Sequence, residues 1–176
     1  EKKSENALDF KARIGFFLEW ALVRLSDNEG RCPVRACIVV DGKRDGWEAS
    51  LNTWDAAFMR AVEQQDAGTR SRMIEDLEER VVGLLAFWKR SQRHPQWYFP
   101  KTSWEALGAD ANKTAEAWAG GFERKGERDY SLGYARLLAG ERDFSDASDA
   151  DYRLLIENAG LLATLITLTP ETEQAE

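Results

Sequence analysis

From Asn6 to about Ser26 the apolar positions Phe10, Ile14, Phe17, Leu18, Ala21, Leu22 and Leu25 recur at three- and four-residue spacing. That spacing predicts a helix with one broad buried face. Ser26-Asp27-Asn28-Glu29-Gly30 then breaks the pattern, as a helix stop does. Val34–Val40 is short, β-branched and apolar, Asp41-Gly42 is a turn dipeptide, and a second extended candidate lies around Trp47–Leu51; together they predict a strand, a turn and a weaker strand. The helical period returns from Trp54 to Gln65. It is strongest from Ser71 to about Arg90, where Met73, Leu77, Val81, Leu84 and Trp88 form one stripe.

Beyond that stripe the chain is punctuated by His94-Pro95 and Phe99-Pro100. A residue before proline is pushed towards extended geometry, so a loop is expected. The loop must be ordered, because Trp97, Tyr98 and Phe99 together are too apolar to be left in water. Short helices are predicted at Ser103–Leu107 and Ala111–Ala119, then a glycine-bearing connection through Gly120-Gly121 to Gly126-Glu127-Arg128-Asp129, and another short helix over Tyr130–Leu138. The last helix runs from about Asp151 to Leu168, with Ser148 and Asp149 as capping candidates and Leu154, Leu155, Ala159, Leu162 and Ile166 as its apolar positions. The reading is one domain over residues 1–169 and a polar tail over 170–176.

Composition narrows the classes. The chain has 176 residues, 43% hydrophobic and 31% charged, with 7 Trp, 4 Tyr and 8 Phe, enough apolar content for a packed globule and too much for a disordered chain. No apolar run approaches the ~18–20 residues that a bilayer span needs, so no membrane partner is expected. Cys32 and Cys37 are separated by four residues, a gap that fits neither a CxxC redox pair nor a zinc knuckle. Two thiols in a reducing cytoplasm are expected instead. The single histidine, His94, excludes a His-rich metal centre and makes any Ser/His/Asp chemistry depend on that one residue. The chain begins Glu1-Lys2-Lys3-Ser4 without Met, which suggests the cut end of a longer protein.

Charge is unevenly placed. Lys89 to Lys101 holds Lys89, Arg90, Arg93 and Lys101 and no acid, so a local +4 leaves −11 on the rest of a chain whose net charge is −7. Cations beside Trp97 and Tyr98 suit nucleic acid, where basic groups track phosphates and aromatic faces stack on unpaired bases. The plainer account is a helix C-terminus with favourable cations, leading into a loop whose aromatics fill the core.

Asp41 and Lys43 have the spacing that Mg²⁺-dependent restriction-like nucleases use at the end of a core strand. In such a site carboxylates hold the metal and the lysine assists the attacking water. Asp27 or Glu19 would then be the second ligand, whereas Glu48-Ala49-Ser50 lacks the lysine. Asp-Gly after a strand is also the commonest of turns. The glycines at 120–126 do not make a phosphate loop, and Asp143, Asp146, Asp149 and Asp151 lack the glycine and terminal glutamate of an EF-hand.

Several of these stretches occur in a recognisable order: Leu84-Leu85-Ala86-Phe87-Trp88-Lys89-Arg90, Arg93-His94-Pro95, Phe99-Pro100-Lys101-Thr102-Ser103-Trp104, Trp118-Ala119-Gly120-Gly121, Gly126-Glu127-Arg128-Asp129, and a closing helix ending at Thr169-Pro170. In order and spacing, residues 77–170 resemble the end of the RecC family, the gamma subunit of exodeoxyribonuclease V. The resemblance implies an α+β fold, helix-rich with a small mixed sheet: a degenerate PD-(D/E)XK (restriction-endonuclease-like) domain without catalytic residues. It also implies a cytoplasmic complex with RecB-like and RecD-like subunits, bound to double-stranded or forked DNA in double-strand break repair. No cofactor is implied for this fragment, with ATP and Mg²⁺ acting elsewhere in the complex. On that reading Lys89, Arg90, Arg93, Trp97, Tyr98 and Lys101 form a DNA or partner surface. The alternatives are an active Mg²⁺ nuclease using Asp41 and Lys43, and a free-standing helical interaction module of the adaptor or immunity kind.

Overall fold

A computed structural model describes residues 10–27, 29–31, 46–121, 124–130, 133 and 144–168. The chain divides into two compact units, the first made of Glu1–Lys89 and Thr164–Glu176, the second of Arg90–Ala163.

The first unit is built on α1 (Phe10–Ser26), α2 (Gly46–Glu63) and most of α3 (Ala67–Arg93). The buried face of α2 is Trp47, Leu51, Trp54, Phe58 and Ala61. That three- and four-residue spacing continues the predicted 54–65 stripe back through Trp47. Residues 47–51 are therefore helical, and the strand expected there does not form. Short apolar runs are compatible with either period, and helical contacts decide this one. The expected strand over 34–40, Asp41, Lys43, Cys32 and Cys37 all lie outside the described residues.

α1 buries Phe17, Trp20 and Ala21 together with Arg13 and Arg24, while Leu22, an expected core position, is 53% exposed. Its inner face is rotated from the aliphatic pattern because aromatic rings receive the arginines. Arg13 lies 5.5 Å from the Trp47 ring centre and Arg24 5.4 Å from that of Phe58, cation–π distances at which a guanidinium enters a core with its charge still engaged. The Arg24 Nε–H also donates to Asp55 Oδ1 at 2.7 Å. Trp20 meets Trp54 edge-on at 5.2 Å, and Trp54 stacks on Phe58 at 5.4 Å.

In α3 the inner stripe is Met73, Leu77, Val81, Leu84 and Phe87. Trp88, expected to end that stripe, is 57% exposed. Both i+3 and i+4 from Leu84 fit a helical period, and the structure takes the former. Asp66 caps the start of α3 by accepting from the Thr69 amide at 3.0 Å. Within the same unit, the Trp47 indole donates to the Ile166 carbonyl at 2.8 Å, and Arg80 Nη1 donates to the Thr164 and Thr167 carbonyls at 2.8 Å each.

The second unit contains α4 (Pro100–Leu107), α5 (Ala111–Ala119), β1 (Gly120–Gly121), β2 (Arg124–Lys125), α6 (Glu127–Tyr130) and most of α7 (Ala150–Ile166). The sheet is one antiparallel pair, Gly120 opposite Lys125 and Gly121 opposite Arg124. Helix-rich α+β is thus the architecture of the described residues. Their sheet is antiparallel, not mixed, and lies in the glycine-bearing connection, not over 47–51. The expected helix over 130–138 falls mostly outside the described residues, and α6 begins before it. Asp149 starts α7 as expected, its side chain accepting from the Asp151 amide at 2.8 Å and its carbonyl from the Arg153 amide at 3.1 Å. The core is Phe99, Ala106, Trp118, Phe144, Tyr152 and Leu155. Among the described residues no helix is long and apolar enough to cross a membrane.

Candidate functional site

The stretch with the unusual charge begins on the last turns of α3. Lys89, Arg90 and Arg93 are exposed there, Lys89 in the first unit and the two arginines in the second. Cations at a helix C-terminus oppose the negative end of the backbone dipole, which locally favours them. The His94 amide donates to the Arg90 carbonyl at 3.0 Å and prolongs that turn before Pro95 ends it.

The loop that follows is ordered by its aromatics. Trp97 meets Phe99 edge-on at 6.2 Å and Phe144 at 6.0 Å, and its carbonyl accepts from the Asn158 side chain at 2.9 Å. Phe99 is buried, 4.8 Å from Trp118, and Trp118 is 5.3 Å from Phe144. Trp97 and Tyr98 are half-buried, so Trp97 acts first as an anchor of the core.

Phe99 then serves as the residue before α4, with extended backbone at φ −120° and ψ 113°, and Pro100 takes the first helical position. A phenylalanine has no side-chain acceptor for the helix's first amides, which ordinarily need one. Glu127 supplies it from across the unit: its Oε1 accepts from the Lys101 amide at 3.2 Å and its Oε2 from the Thr102 amide at 2.7 Å. Ser103 completes the turn, its hydroxyl accepting from the Phe99 amide at 2.9 Å and its own amide donating to the Phe99 carbonyl at 2.7 Å. Lys101 is exposed beside this cap.

Glu127 is held in place by its neighbours. Asp129 turns back to accept from the Gly126 amide at 3.0 Å and so caps α6. Gly126 is buried with backbone on all sides, so that a Cβ there would run into the Trp118 carbonyl and the Gly120 amide. Gly120 adopts φ +83°, a left-handed conformation open to glycine. Phe99-Pro100-Lys101-Thr102-Ser103, Trp118-Ala119-Gly120-Gly121 and Gly126-Glu127-Arg128-Asp129 thus meet as one arrangement within the second unit. In the sequence Glu127 stands out only as part of an ordered series. Its partners lie 25 and 26 residues away, beyond the reach of local capping patterns.

Chemically the exposed part offers cations. Among the described residues no three or more His, Cys, Asp or Glu side chains gather in a way that could hold a metal ion. Asp66 and Asp110 cap α3 and α5, and the amides of Thr69 and Lys113 that they accept hold both carboxyls below the usual range. Asp55 moves the other way: burial pushes its carboxyl up against the pull of Arg24. All three have structural partners. No family model, curated protein or solved structure matches the chain.

Proposed function

We propose that this chain is a non-catalytic domain of a RecC-like subunit of exodeoxyribonuclease V, with a degenerate restriction-nuclease-like fold. It acts in the cytoplasm, scaffolding RecB-like and RecD-like subunits and guiding double-stranded or forked DNA during break repair. ATP and Mg²⁺ serve other subunits of that complex. The observation that supports this reading most is the cap on α4. Glu127 of the Gly-Glu-Arg-Asp segment binds the amides of the Phe-Pro-Lys-Thr-Ser segment, so two stretches that carry the resemblance act as one structural device. Exposed Lys89, Arg90, Arg93 and Lys101 are the groups expected to meet phosphate, while Trp97 anchors the loop that connects them and half-buried Tyr98 lies within it.

The test is DNA binding by the chain assembled with RecB-like and RecD-like subunits, measured against salt concentration. Replacing the four cations by glutamine is expected to flatten the log–log salt dependence by about 0.9 for each phosphate that is no longer neutralised. An unchanged slope removes the DNA surface, and failure to assemble with those subunits removes the subunit reading itself.

A further inference from the structure

α3 is apolar on two faces. Outside its buried stripe, Val82 is 56% and Leu85 48% exposed, and Trp88 lies exposed at the flank. Single apolar residues on a surface are ordinary, but three within two turns form a contiguous strip. Along that strip Glu78, Val82, Leu85 and Lys89 follow one another at spacings of four, three and four. These are the spacings of a coiled-coil a/d seam, with an acid at one end, a base at the other and exposed Ala86 beside it.

The seam is complementary to itself. Two such helices laid antiparallel, with the two-fold axis between positions 83 and 84, bring Val82 opposite Leu85 of the other copy and Glu78 opposite Lys89 of the other copy. Each pairing occurs twice, as a two-fold interface requires. Parallel packing would put like charges together. Among the described residues, Glu78 and Lys89 are exposed and form no ion pair, so both are available to the second copy.

We propose that the outer face of α3 pairs antiparallel with the same face of a second copy of this chain, through Val82 and Leu85 and two Glu78–Lys89 ion pairs. All these residues belong to the first unit. The seam is short, so the dimer is weak, depends on concentration and loosens with salt. It is independent of the RecC-like reading, and either can fail without the other.

Sedimentation equilibrium of the 176-residue chain without DNA, over rising protein concentration at low salt, tests the pairing. A monomer–dimer equilibrium is expected. Glu78→Lys or Lys89→Glu alone should weaken it about tenfold by setting like charges face to face twice, and the two together should restore it. Leu85→Glu should leave only monomer, with the far-ultraviolet spectrum of the parent chain. A chain that is monomeric throughout, single reversals without effect, or a double reversal without rescue would each overturn the pairing. So would a monomeric chain whose capture by a RecB-like subunit is lost in Leu85→Glu, an outcome that assigns the face to a different partner.

Discussion

Glu127 illustrates how one side chain can join distant parts of the chain. Its carboxylate takes the two amides that Phe99 leaves unpaired at the start of α4. Glu127→Ala is expected to destabilise the second unit by about 1–2 kcal/mol. Glu127→Gln, which keeps one acceptor oxygen, should lose less; urea unfolding of both variants measures the difference. At Asp110 the carboxyl is held below its ordinary value, chiefly by the Lys113 amide. A depressed acid contributes stability that is fully present above the unfolded value, about 3.9, and is lost as pH falls through the folded value. Asp110→Asn keeps the acceptor and carries no titrating group, so its stability should fall less steeply below about pH 4 than the parent's in paired thermal melts.

At the scale of elements, α3 and α7 were legible because their stripes are long and one period accounts for them. Asp149 was legible because its cap is local. The 47–51 segment misled because five residues do not separate a strand from a helical turn and a half, and only Trp47 against Phe16 and the Ile166 carbonyl settles which it is. Trp88 misled for a related reason, since i+3 and i+4 share a face and packing chose Phe87. In the hairpin, Gly126 is required by close approach, with the Trp118 carbonyl and Gly120 amide where a Cβ would stand. Gly126→Ala is expected to cost at least about 2 kcal/mol, seen as a lower denaturation midpoint. Gly83→Ala meets only the far end of the Leu165 side chain, which can move, and should cost less.

For the whole molecule, net charge is a poor guide to partners. The overall −7 hides a +4 within thirteen residues, and the structure leaves all four of those cations exposed. The four cations would release counterions from phosphates, so the proposed contacts should weaken as salt rises. The remaining −11, whose long-range repulsion of a polyanion the same salt screens, should temper that dependence. Low-salt binding that the four glutamine replacements abolish is the expected signature. The two units differ in how they use aromatics. The first packs Trp47 and Phe58 against buried Arg13 and Arg24, and the second packs Phe99, Trp118 and Phe144 around the start of α4.

By itself the sequence determined α1, α3 and α7, the cap at Asp149, the ordered aromatic loop and the basic stretch before α4. Each of these depends on near neighbours along the chain, through a period, a capping residue or a run of like charge. Only the tertiary structure decided that Arg13 and Arg24 face inward, that residues 47–51 are helical and that the sheet lies at 120–125. It also decided that Glu127 caps α4. These outcomes rest on contacts between residues far apart in sequence, where burial and hydrogen bonding outweigh local preference.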